Sequence, residues 1–216
     1  MSRAETAAEV VRAAKLLYAR GLVNAYEGNV SMRLGETLLI TPSQVCKGDL
    51  TAADLVEVAI EDGALVEAKP GRRASSEVKL HICAYKSRPD IGGVAHAHPP
   101  CATAYALAGR EIATDAYPEM IILYGKVPLC RYGRPGTDDV NADVPGVLAE
   151  YDQFLLANHG LVTVGAGALE ATYRLEGLES IAKVLAMAEG MGGERKLPPE
   201  EVETLLAVGA AMRKRG

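Results

Sequence analysis

Half of this chain's four histidines, His96 and His98, stand two residues apart in the run Gly92-Gly93-Val94-Ala95-His96-Ala97-His98-Pro99-Pro100. Side chains two apart on a strand leave the same face, so both imidazoles can reach one point, and the two prolines cannot continue a ladder. The pair reads as two ligands of one metal. His159 sits in Asn158-His159-Gly160, a polar break inside an otherwise apolar strand pattern, where a side chain turns towards a pocket. Glu77 follows Ser75 and Ser76 at the start of a helical pattern, where an acid also suits the helix dipole.

The elements that would position these residues are legible from periodicity and punctuation. Ser2 and Glu5 have capping-box spacing ahead of a helix running to Arg20 and ended by Gly21, with Val10, Val11, Ala14, Leu17 and Tyr18 as its apolar stripe. Val30 to Leu34 and Thr37 to Thr41 flank Gly35-Glu36, and Val56 to Ile60 and Ala64 to Glu67 flank Glu61-Asp62-Gly63, which predicts two hairpins. A helix beginning at Ser75, with Val78, Ile82 and Tyr85 on one face, stops before Pro89. The His96 strand is followed by a short helix over Cys101 to Leu107. Phe154 to Val164 reads as a strand pair or one bent strand. Ala168 to Glu189 is the longest helix, and Pro198 to Arg215 the last, with acids in its first turn and bases in its last. Hairpins and helices mixed without regular alternation predict an α/β fold of the α+β type. That fold is a single domain over 1–216, with a central, mostly antiparallel sheet covered by helices. A TIM-barrel hydrolase carrying an H-x-H pair is excluded, because it needs roughly 250 residues and regular βα alternation.

Composition narrows the function. With 216 residues the chain can bury a large core without disulfides or structural metal, so a metal would be there for chemistry. The net charge is −5 and the basic residues are scattered, which leaves no footprint for nucleic acid. With no apolar run long enough for a membrane and no signal-peptide core at Met1-Ser2-Arg3-Ala4-Glu5, the expectation is a soluble, cytoplasmic protein without a membrane partner. Cys46, Cys83, Cys101 and Cys130 form no C-x-x-C pair and read as reduced thiols, mostly buried.

Taken together, Ser75-Ser76-Glu77, His96-Ala97-His98 and Asn158-His159-Gly160, in that order and spacing, resemble the class II aldolase/adducin family. The resemblance extends to Gly28-Asn29-Val30-Ser31, Ile40-Thr41-Pro42-Ser43 and Arg88-Pro89-Asp90. It implies Glu77, His96, His98 and His159 as the ligands of a divalent metal. Zinc suits that set, although Mn2+, Co2+ and Fe2+ also accept nitrogen and oxygen donors. It also implies cleavage of a ketose 1-phosphate, such as L-fuculose 1-phosphate, to dihydroxyacetone phosphate and an aldehyde through a metal-stabilised enediolate, with Glu77 moving the proton. By the same resemblance Gly28, Asn29, Ser43, Ser75 and Ser76 hold the substrate phosphate. Hydroxyls and free amides at a helix start suit an anion without any formal positive charge. Tyr132 is implied to act as a catalytic acid or base in a neighbouring subunit's site, in a homotetramer with sites at subunit interfaces. The family's glycine after the hydroxyl residue is here Gln44, and its C-terminal tyrosine has no counterpart, since 197–216 holds no aromatic residue. Sugar-phosphate 4-epimerases, methylthioribulose-phosphate dehydratases and non-enzymatic adducin-like scaffolds are the alternatives within the family.

Overall fold

The structure is a computed structural model and describes residues 1–213 of the chain. Ser2 and Glu5 make the reciprocal cap, and α1 runs Arg3–Ala19. The two hairpins form as β1 (Asn29–Leu34) with β2 (Thr37–Ile40) and β3 (Val56–Ala59) with β4 (Leu65–Glu67). Gly35 and Gly63 take the positive φ values, 60° and 77°, that such turns demand. Then follow α2 (Val78–Ser87), β5 (Gly93–Ala97), α3 (Pro100–Leu107), β6 (Leu129–Cys130), α4 (Val144–Leu148), β7 (Gln153–Leu156), β8 (Gly160–Gly165), α5 (Ala168–Gly190) and α6 (Pro199–Arg213). The last helix's predicted end at Arg215, with its basic residues Lys214 and Arg215, lies outside the described residues.

One eight-stranded sheet has the order β4-β3-β2-β1-β5-β8-β7-β6. All pairings are antiparallel except β6 with β7, which is parallel. The two faces bury separate cores. Leu17 of α1, Ala102 of α3 and Leu178 of α5 pack with Val30, Ala95 and Leu161 on one face. On the other, Leu80 and Tyr85 of α2 and Val144 of α4 pack with Leu38, Val94, Phe154 and Val162. The period of two therefore sends His96 to the same side as Val94, facing α2.

Two expectations are corrected, and of the two readings left open for Phe154 to Val164 the strand pair is the one that forms. Glu77 is the N-cap residue of α2, with φ −99° and ψ 15°, rather than a residue inside the helix, because Ser75 to Val78 first close a turn (Val78 N–H to the Ser75 carbonyl, 3.1 Å). The innermost residues of α2 are Leu80, His81, Ala84 and Tyr85, with Val78 and Ile82 only partly buried, because polar partners on β1 receive His81. Phe154 to Val164 is a true hairpin, β7 and β8 joined through Asn158, which takes φ 58°. The four cysteines are free; Cys130 is buried and the others are intermediate. No helix among the described residues is long and apolar enough to cross a membrane.

Candidate metal and substrate site

Three elements converge on one point. β5 delivers His96 and, just past its end, His98; the β7–β8 turn delivers His159; the turn into α2 delivers Glu77. One donor atom from each of these four lies within 4.8 Å of the others. His96 Nε2 is 3.1 Å from His98 Nε2 and 3.3 Å from Glu77 Oε2, and His159 Nε2 is 3.2 Å from Glu77 Oε1. The three rings stand 4.8 to 4.9 Å apart, centroid to centroid.

This donor set fits a divalent cation. His96 Nδ1–H donates to the Leu161 carbonyl at 3.0 Å, which fixes the tautomer and aims the Nε2 lone pair into the cluster. A cation needs neutral imidazoles and an ionised carboxylate, and the surroundings favour those states in three of the four groups. Burial and the neighbouring His96 push His98 down to about 3 and His159 to about 4. Burial alone would raise Glu77, yet the facing His96 and His159 and the Asn29 amide hold it well below the usual carboxylate range. His96 is the exception. Burial works against its charged form, but the adjacent Glu77 carboxylate outweighs that and raises it.

Close packing at two glycines sets this geometry. A Cβ on Gly160 would lie 2.5 Å from the Ala97 carbonyl oxygen and 2.6 Å from His98 Cδ2. Gly28 has φ +67°, and a Cβ there would lie 2.9 Å from the His96 carbonyl oxygen.

A cavity of about 370 Å3 opens beside the cluster, and all five residues expected to hold phosphate, Gly28, Asn29, Ser43, Ser75 and Ser76, line it with Glu77, His98 and His159. Another cavity, of about 400 Å3 between Tyr124, Gln153, Arg174 and Leu206, has no histidine on its wall. Gln44, also lining the first cavity, holds φ 57°, a left-handed conformation that a glycine adopts without strain. Its Oε1 accepts from Arg73 at 3.3 Å.

Two residues of this region were missed by sequence reasoning. Lys47 lines the cavity although it is only 2% exposed, and its ammonium donates to the Val45 carbonyl at 3.2 Å. It puts one basic side chain on the wall that was expected to hold an anion through hydroxyls and amides alone. No local signal marks Lys47, whose burial comes from packing. His81, the fourth histidine, is fully buried and bonds Asn29; its place four residues after Glu77 was the available signal. Tyr132 is 62% exposed and does not line the cavity of its own chain.

The family described as Class II Aldolase and Adducin N-terminal domain matches residues 8–186. A 3-oxo-tetronate 4-phosphate decarboxylase of Pectobacterium atrosepticum is 32% identical over 195 residues, covering 88% of this chain and 86% of that protein. An L-fuculose phosphate aldolase of Methanococcus maripaludis is 30% identical over 176 residues, 82% of this chain and 93% of the relative. A solved L-fuculose 1-phosphate aldolase superposes with a TM-score of 0.86 at 27% identity, covering 96% of this chain and 97% of the other.

Proposed function

The chain belongs to the class II aldolase and adducin family, and from that premise we propose that it breaks the bond between the carboxylate and the carbon next to the ketone of a phosphorylated 3-oxo sugar acid, releasing carbon dioxide and dihydroxyacetone phosphate. The observation that carries the reading is the opening of one cavity onto both the Glu77/His96/His98/His159 cluster and the Asn29, Ser43, Ser75, Ser76 and Lys47 wall. A single small molecule bearing a ketone at one end and a phosphate at the other spans the two.

The names of the two kinds of relative describe one chemistry. A 3-oxo-tetronate 4-phosphate that loses its carboxylate, and a ketose 1-phosphate that loses an aldehyde, leave the same electron pair on the carbon beside the ketone, as the enediolate of dihydroxyacetone phosphate. A divalent cation held by Glu77, His96, His98 and His159 supplies Lewis-acid stabilisation of charge at the ketone oxygen; zinc fits the donors. The serine hydroxyls, the Asn29 side chain and the Lys47 ammonium bind and orient the phosphate. Glu77 passes a proton taken from solvent to the carbon that carried the carboxylate, which completes the product.

Aldol cleavage is the second reading, favoured by the match to the aldolase fold. It needs one more group, a base for the hydroxyl on the departing carbon. Tyr132 lies outside its own chain's cavity, so a neighbouring copy in a homotetramer would have to supply it. Decarboxylation has no such requirement. The test is metal-loaded protein incubated with 3-oxo-tetronate 4-phosphate and, separately, with ketose 1-phosphates, with dihydroxyacetone phosphate followed by NADH-linked reduction. Product from the keto acid supports the first reading and product only from a ketose supports the second. None from either overturns both.

A further inference from the structure

Behind Glu77 lies a buried file of polar side chains taken alternately from β1 and α2. Asn29 Nδ2 donates to Glu77 Oε2 at 2.8 Å. His81 Nε2 lies 2.5 Å from Asn29 Oδ1, and His81 Nδ1 lies 2.6 Å from Ser31 Oγ. Ser31 Oγ is 2.9 Å from the Tyr85 hydroxyl, which stands 3.5 Å from the Gly92 carbonyl. The spacing is regular: Asn29 and Ser31 share a strand face, and Glu77, His81 and Tyr85 recur every four residues. Asn29 is 3% exposed, Tyr85 is 1%, and Ser31 and His81 are fully buried, so the polar atoms of His81, Ser31 and Tyr85 must find their partners inside the file, while Asn29 keeps one amide hydrogen for the cavity.

We propose that His81 is a positioning residue which, through Asn29, locks the Glu77 carboxylate in place. The lock follows from donor counting. An ionised carboxylate only accepts, so Asn29 must turn its amide NH2 towards Glu77 and its oxygen towards His81. His81 Nε2 must then carry a hydrogen and donate. A neutral ring leaves Nδ1 bare, so the Ser31 hydroxyl donates to it, and the Ser31 oxygen accepts from Tyr85 in turn. From Tyr85 inward every bond points the same way and ends on Glu77, the single Tyr85 hydrogen going to Ser31 at 2.9 Å in place of the Gly92 carbonyl at 3.5 Å. With His81 as the opposite tautomer, the Asn29 amide would turn over and set its oxygen 2.8 Å from a carboxylate oxygen, which repels. The file thus keeps one amide donor fixed on Oε2 and leaves the carboxylate no freedom to rotate away from His96 and His159. That restraint is what a ligand required to return to one position needs.

The proposal rests on Glu77 as a metal ligand, and two measurements separate its failure from failure of that assignment. Side-chain nitrogen NMR of metal-free and zinc-loaded parent protein should show His81 neutral with its hydrogen on Nε2 in both. His81→Leu, which lines no part of the cavity, removes the donor to Asn29 Oδ1, frees that amide to turn over and should reduce zinc affinity roughly ten- to a hundredfold, whereas His81→Gln, whose side-chain amide can still donate to Asn29, should restore it. A merely structural role would lower the melting temperature without moving zinc affinity. The hydrogen on Nδ1, a doubly protonated ring, or a folded His81→Leu protein with parental zinc affinity overturns the lock. A parent that takes up no zinc overturns the metal assignment, and the tautomer then decides the file alone.

Discussion

Replacing Gly160 by alanine adds one methyl group at the back of the histidine cluster, and its consequence can be worked from distances. The new Cβ would lie 2.5 Å from the Ala97 carbonyl oxygen, 2.6 Å from His98 Cδ2 and 3.2 Å from His96 Cε1. The carbonyl belongs to the β5–β8 pairing, in which Ala97 opposes Leu161, so it cannot retreat without opening the sheet. The carbonyl contact is then relieved only by moving the residue 160 backbone, and the His98 ring contact by a displacement of roughly 0.8 Å to ordinary van der Waals distance. Metal–ligand distances tolerate only about 0.2 Å, so a shift of this size costs a ligand its proper geometry. The expected outcome is a zinc affinity lower by about ten- to a hundredfold, or ~1.4–2.8 kcal/mol. Overpacking should also cost ~1–3 kcal/mol of stability without metal. Competition against a chromophoric chelator reads the first, and thermal melting of the metal-free protein reads the second. A folded Gly160→Ala protein that binds zinc as tightly as the parent would refute the placement of His98 in the cluster.

Lys47→Met keeps the buried stem but removes the charge. It should raise KM for a phosphorylated substrate, and weaken competition by inorganic phosphate, by roughly ten- to a hundredfold; unchanged constants would return Lys47 to a structural role. Asp54 accepts hydrogen bonds from Thr51 and Arg72, which hold its carboxyl down to about 2. A depressed folded value stabilises above the ordinary aspartate range and the contribution is lost as pH falls towards 2, so Asp54→Asn should cost ~2 kcal/mol at neutral pH. Denaturant melts of both proteins should then converge in acid; a difference constant with pH would contradict this. Tyr132→Phe should leave decarboxylation intact while lowering aldol cleavage about a hundredfold or more, which steady-state rates on the two substrate types can check.

What was legible in the sequence was what short-range chemistry dictates. Ser2 with Glu5, the glycines at 35 and 63, and the His-x-His step each specify their own turn or face within a few residues. The strand β6 is two residues long and owes its existence to parallel pairing with β7, far along the chain, so no local pattern announces it. His81 looks out of place on the inner face of α2 until Asn29 and Ser31 arrive from β1, about fifty residues earlier. Lys47 likewise has no periodic signature, because packing alone buries it. Gln44 is instructive in another way. Its backbone holds φ 57°, which a glycine would adopt without strain, and the sequence alone does not show that a glutamine there takes it.

The enediolate is the species common to both readings of the chemistry. Metal-loaded protein incubated with dihydroxyacetone phosphate alone in deuterium oxide, followed by proton NMR, asks whether the enzyme forms that species without any aldehyde or carboxylate partner. Stereospecific loss of one hydroxymethyl hydrogen signal is expected, dependent on zinc and slowed by about 10²–10⁴ in Glu77→Gln that still retains metal. A protein that turns over its phosphorylated substrate yet leaves both hydrogens in place would contradict it.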